Sequence, residues 1–189
     1  MSRKYKFHDQ DRIYFVTYGI VGWIDIFTRT EYCKIILDSL TYCCNNKGLE
    51  IYAWCIMTNH VHLVIGTHDK PMEDILRDHK KHTSEQLVAA IKNNPSESRR
   101  EWMIALFREY AANNPNNTKH QVWQQHNKPI ELYTPEVIFK YLDYIHNNPV
   151  KAGMVAEPEH WLYSSALDYA GKKGLLGCLI PVNIAIRGE

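Results

Sequence analysis

Two histidines stand two residues apart in Met57-Thr58-Asn59-His60-Val61-His62-Leu63-Val64-Ile65, and they are the residues whose types and spacing most directly suggest chemistry. In an extended segment side chains repeat with period two, so both imidazoles leave the same face. Two imidazoles side by side make half of a metal site. A divalent ion held there with open positions can act as a Lewis acid on a substrate oxygen. On composition alone a His-x-His pair is as readily two ordinary polar residues, so its meaning depends on the elements around it.

Those elements can be read from patterning. Arg12 to Tyr18 alternates Ile13, Phe15 and Thr17 with Tyr14, Val16 and Tyr18, which suits a strand. From Thr30 a helix is expected, with Cys33, Ile36, Leu37, Leu40 and Cys44 on one face and Gly48 as its stop. Glu50 to Met57 and His60 to Thr67 read as two strands joined by Thr58-Asn59 alone. So short a link implies an antiparallel hairpin with the histidines beside its turn. Val61, Leu63 and Ile65 then face helices, while His60, His62 and Val64 face the other way.

Asp69 as cap and Pro71 in the first turn open a helix through Met72, Ile75, Leu76, His79, Leu87 and Ile91, ending near Asn94-Pro95. Ser96 to Ala112 reads as another, with Trp102, Ala105, Leu106 and Tyr110 on one side, followed by a polar loop from Asn113 to Lys119. A short strand falls within Val122 to Leu132. Thr134 as N-cap and Pro135 as first residue start a helix that should end near Asn147, because Pro149 disfavours helical geometry at Asn148. A turn at Ala152-Gly153 follows. The order β, α, β, β, α and further helices predicts an α+β fold: a ferredoxin-like antiparallel sheet with helices on one face and an additional C-terminal helix.

With 189 residues, 45% of them hydrophobic, the chain fits one domain with a sizeable core. Lys and Arg total 22 against 21 Asp and Glu, so no global basic field advertises nucleic acid. Local clusters at 77–82, Arg99-Arg100 and Lys172-Lys173 are as consistent with solvated faces. Cys33, Cys43, Cys44, Cys55 and Cys178 form an odd set without a Cys-x-x-Cys, pointing to free thiols in a reducing compartment. No signal-peptide core and no membrane-spanning run is present, so a cytoplasmic location is expected.

Partners for the histidine pair can be sought on the helix from Thr134 to Asn148. Val137, Tyr141, Tyr144, Ile145 and Asn148 form one stripe, with Tyr144 and Asn148 one turn apart. Two readings stand on the residues alone. Either the stripe is core and Asn148 a helix stop, or Tyr144 is a nucleophile and Asn148 a third metal ligand through its carbonyl oxygen.

Four blocks in order carry a resemblance: Met57-Thr58-Asn59-His60-Val61-His62-Leu63; Val122-Trp123-Gln124; Tyr144-Ile145-His146-Asn147-Asn148-Pro149-Val150-Lys151-Ala152-Gly153-Met154-Val155; and Trp161-x-Tyr163-Ser164-Ser165. Over about residues 10–166 the chain resembles the single-tyrosine HUH transposases, insertion-sequence type, and more closely their REP-associated branch. The resemblance implies a DNA transposase, a single-strand endonuclease and transesterase acting through a 5′-phosphotyrosine on hairpin-bearing single-stranded DNA. It also implies that the added C-terminal helix is catalytic. Position by position, it makes His60, His62 and Asn148 the ligands of a divalent ion, Mg²⁺ or Mn²⁺, and Tyr144 the nucleophile. Lys80, Lys81, His82 and Trp123 are the candidates for holding DNA, with Tyr18 and His79 beside them.

The resemblance leaves a homodimer and a monomer both open. The alternative function is a host-adapted nucleic-acid-binding protein on the same fold without strand transfer. Residues 1–189 are expected to form a single domain, with a helical insertion at about 95–118 relative to compact members and an unassigned tail at 170–189.

Overall fold

Residues 7–114 and 119–182 are described by the structure, a computed structural model. Positions 115–118 of the expected polar loop and 183–189 of the tail lie outside them. Alternating aromatic and β-branched residues place β1 (Tyr14–Gly19) inside a four-stranded sheet whose other members are β2 (Leu49–Ile56), β3 (His60–Thr67) and β4 (Ile130–Glu131). The order is β2-β3-β1-β4 with every pairing antiparallel. The β2–β3 hairpin is closed by Met57 N donating to His60 O at 2.8 Å, so Thr58-Asn59 is indeed the whole link. Register across the centre puts Thr17 opposite His62 and Gly19 opposite His60.

One face of the sheet is covered by α1 (Thr30–Lys47) and α2 (Met72–Asn93), which bury Val16, Tyr18, Val61, Leu63 and Ile65 against Ile36, Leu40, Ile75, Leu76 and Leu87. Gly48 ends α1 with φ 72°, and a Cβ there would lie 2.5 Å from Asp69 Cβ, so both the conformation and the close approach require glycine. Asp69 is thus a packing neighbour of that turn and does not cap α2. Pro71 itself occupies the N-cap position without a side-chain cap.

α3 (Arg100–Ala112) starts four residues later than the pattern suggests, because Glu97 is engaged in a turn. Its carboxylate is buried, accepts from Arg99 N at 3.2 Å, and pairs with Arg29 at 2.7 Å and Arg99 at 3.1 Å. The buried face of α3 is Met103, Ile104, Phe107 and Ala111, whereas Trp102 and Tyr110 are exposed. The helix carries two apolar stripes, and α2 and the main core take the one that patterning did not favour.

α4 (Pro135–Lys151) crosses the other face. It buries Leu142 and Ile145 against Phe15, Ala53, Cys55, Met57 and Val64. Thr134 caps it, its Oγ1 accepting from Val137 N at 3.4 Å. Contrary to the sequence expectation, α4 runs through Asn148 and Pro149. So near the C-terminus, proline removes one intrahelical donor while its ring is buried, and Ala152 N still donates to Asn148 O at 3.0 Å. That continuation keeps Asn148 on the helical stripe.

After α4 the chain returns to the free edge of β2. Ile56 N donates to Tyr163 O at 2.8 Å, Ser165 N to Trp54 O at 2.9 Å, and further on Ile180 N to Ile51 O at 2.8 Å. An edge that would otherwise present unpaired backbone is covered. α5 (Ala166–Tyr169) separates the two stretches. Of the cysteines, all free, Cys33, Cys43 and Cys55 are buried in apolar surroundings, and Cys178 lies 2.8 Å from Cys44, sulfur to sulfur. Among the described residues no helix is long and apolar enough to cross a membrane.

Candidate active site

His60 and His62 leave β3 on the face that α4 crosses, and their Nε2 atoms are 3.0 Å apart. The second nitrogen of each ring is held. Asn59 directs its amide NH₂ to Trp23 O at 3.2 Å and Asp25 Oδ1 at 3.1 Å, so its Oδ1, 2.6 Å from His60 Nδ1, accepts from that ring. His60 Nε2 therefore carries a lone pair. Across the ladder His62 Nδ1 is 2.7 Å from Thr17 Oγ1, a hydroxyl able to accept from it and leave His62 Nε2 free in the same way. Both rings are neutral at pH 7: burial, then the His60 charge, hold His62 down to about 3, and burial lowers His60 against the opposing pull of Asp25.

α4 brings the other two candidates to this pair within the same chain. Asn148 Nδ2 is 3.2 Å from His62 Nε2, and turning the amide over presents its oxygen at the same place. The Tyr144 ring lies edge-on to His62, centroids 5.5 Å apart, and edge-on to Phe15 at 5.7 Å, with 40% of the residue exposed. Lys151 Nζ stands 5.7 Å from the centre of that ring. Two neutral imidazoles with facing nitrogens and an adjacent amide oxygen are a donor set that suits a borderline divalent ion. Among the described residues no three His, Cys, Asp or Glu side chains gather into an alternative set.

The expected DNA-holding residues are placed otherwise. Trp123 is 5% exposed, donates its indole N–H to Thr83 Oγ1 at 3.0 Å, and packs between Phe27 and Tyr18. It is a core residue on the helix side of the sheet, and its ring has no face open to a base; the same burial applies to Tyr18 and His79. Lys80 spends its ammonium on Gln124 O at 2.7 Å and Asn127 Oδ1 at 2.9 Å, and burial lowers it to about 8. Lys81 and His82 are exposed on α2, the helix that covers the opposite face from the histidines.

Sequence reasoning passed over three supports. Thr17 and Asn59 orient the imidazoles, and only the strand register could have pointed to Thr17. His146, between Tyr144 and Asn148, is buried with Nε2 2.8 Å from Ser165 Oγ, which also accepts from Trp54 N at 3.0 Å. Burial, partly opposed by Asp143, lowers His146 to about 4. α4 is thereby fastened on one flank to the segment that covers the edge of β2 and on the other to His62.

Similarity to known proteins agrees with this architecture. Residues 25–142 match the profile of the IS200-like transposases, a span that includes the histidine pair and ends two residues before Tyr144. A Haemophilus influenzae protein described as a REP-associated tyrosine transposase is 24% identical over 139 residues, 72% of this chain and 69% of that one. The solved structure of a REP-associated tyrosine transposase bound to a REP hairpin matches with a TM-score of 0.64 and 17% identity, covering 98% of this chain and 96% of the other, which establishes a shared fold. With the profile spanning more than half of its length, the chain belongs to the IS200-like transposase family.

Proposed function

We propose that the protein cuts and rejoins single-stranded DNA next to a hairpin, with Tyr144 as nucleophile and His60, His62 and Asn148 as the ligands of a divalent ion. One observation carries this reading: α4 docks so that Asn148 reaches within 3.2 Å of His62 Nε2 while Tyr144, one turn earlier, meets the same ring and remains exposed to substrate. The hairpin-bound relative of the same fold supports hairpin DNA as the substrate class. Because the four residues meet within one chain, no partner copy is needed to complete the set.

Bound there, Mg²⁺ or Mn²⁺ supplies Lewis acidity toward the scissile phosphate, and the two imidazoles favour Mn²⁺ over the all-oxygen preference of Mg²⁺. The chain's own groups do the rest. Tyr144 Oη forms a bond to phosphorus as the bond to the 3′ oxygen breaks, giving a 5′-phosphotyrosine and a 3′-hydroxyl. The phosphodiester is conserved, so attack by a 3′-hydroxyl on the phosphotyrosine rejoins a strand without ATP. Lys151 adds positive charge beside the tyrosine, where phosphate must lie. Phe15 and the half-enclosed site restrict the ring to its edge-on orientation.

The test is incubation with hairpin-bearing single-stranded DNA and Mn²⁺ or Mg²⁺, followed by denaturing electrophoresis. A protein–DNA adduct is expected, lost with Tyr144→Phe and with chelator. Cleavage that survives Tyr144→Phe would overturn the nucleophile, and binding without cleavage would favour a non-catalytic DNA-binding role.

A further inference from the structure

Beside the histidines sits a side chain that the reaction above does not use. Trp23 is 56% exposed, yet its ring meets His60 edge to face with centroids 6.0 Å apart. Its backbone is left-handed, φ 55°, directly after Gly22 at φ 65°. A bulky residue seldom adopts that conformation, so holding an indole in it, at the rim of the histidine pair, is unfavourable to folding and calls for another use.

The backbone carrying this ring is held by hydrogen bonds and by packing behind it. Trp23 N donates to Ile20 O at 3.1 Å, and its carbonyl accepts from Asn59, the residue that also orients His60. Arg99 reaches Asp25 O at 2.8 Å. A Cβ on Gly22 would lie 3.2 Å from Leu106 and 3.6 Å from Tyr110, so α3 is pressed directly behind the turn. α3 thus acts as a brace for an exposed indole.

We propose that Trp23 is a stacking platform for one unpaired base of the DNA strand lying next to the scissile phosphate, braced by α3. The proposal rests on the reading that single-stranded DNA occupies this site. Indole offers a broad apolar face that any base can cover, and stacking needs no hydrogen-bond match, so this contact positions the strand without selecting its sequence. A rigid mount matters because the strand must be held in line with Tyr144 for attack.

Binding of hairpin DNA with a single-stranded flank is measured by fluorescence anisotropy in the Tyr144→Phe background with Mn²⁺. Each flank nucleotide in turn is replaced by an abasic site. Trp23→Ala is expected to weaken binding roughly ten-fold, and Trp23→Phe to retain most of the affinity. With Trp23 present, one or two abasic positions should lose the same factor. In Trp23→Ala those positions should become silent. Trp23→Gly, which suits the left-handed backbone, removes the ring while favouring the fold and should reproduce the Trp23→Ala result.

Equal affinities with and without the indole, or identical abasic profiles, would overturn the platform. Failure of the two ideas is separable. A Trp23-dependent abasic position without any adduct in the Tyr144 protein would leave the platform standing and sink the transesterification. An adduct with a flat abasic profile would do the reverse.

Discussion

Two histidines, one on each side of the sheet, have the same burial and very different surroundings. His79, on α2, is 1% exposed and held down to about 3, chiefly by burial; His62 is 3% exposed and held down to about 3 for the same first reason. His79 has both ring nitrogens matched to hydroxyls, Tyr18 Oη and Ser39 Oγ, each at 2.9 Å. His62 has a hydroxyl at Nδ1 only, and its Nε2 faces another imidazole and an amide. A depressed imidazole is therefore no mark of function by itself. What distinguishes the site is a ring nitrogen turned toward a second imidazole nitrogen and a side-chain amide, a set that a divalent ion could share, instead of toward hydroxyls.

Substitution should break this pair apart most clearly in activity. His62→Ala is expected to reduce adduct formation by roughly a thousand-fold or more, as loss of a reaction-centre group does, and to abolish tight Mn²⁺ binding by calorimetry. His79→Phe should leave activity per folded molecule nearly unchanged. It strands two buried hydroxyls, so its expected cost is about 2–4 kcal/mol in denaturant-unfolding stability.

Acid sharpens the comparison. Both folded-state values lie below the unfolded imidazole value of about 6.5, so the unfolded chain takes up protons first as pH falls. Stability should be flat above about pH 6.5 and decline by about 1.4 kcal/mol per pH unit for each such histidine toward about 3, which denaturant unfolding across that window would read. Saturating Mn²⁺, itself competing with protons for His62, should reduce the slope in the parent and leave it unchanged in His62→Ala. Smallest is the fastening of α4 from the far flank. Ser165→Ala should lower stability by about 1 kcal/mol and slow adduct formation several-fold, with DNA affinity unaltered.

The hairpin, the two-faced strand and the stripe on α4 were legible because each rests on a local period, and the His-x-His pair lay in a segment where period and turn agreed. Features that depend on competition between elements were not. Pro149 reads as a stop, but near a helix end its missing donor is outweighed by burial of its ring, and Asn148 stays on the helix. Trp123 and the Trp102 face of α3 show that a sequence with several apolar stripes does not say which one the core will take. Thr17 meets His62 only through cross-strand register, and Trp23 stands out only by a backbone conformation that its type disfavours.

The central claim is that α4 delivers its tyrosine to a metal-binding histidine pair, and the direct measurement is mass spectrometry of the peptide that stays linked to DNA after the reaction. The account predicts one modified peptide, with the nucleotide on Tyr144 and none without a divalent ion. A nucleotide on any other residue, or strand cleavage with no linked peptide, would contradict it.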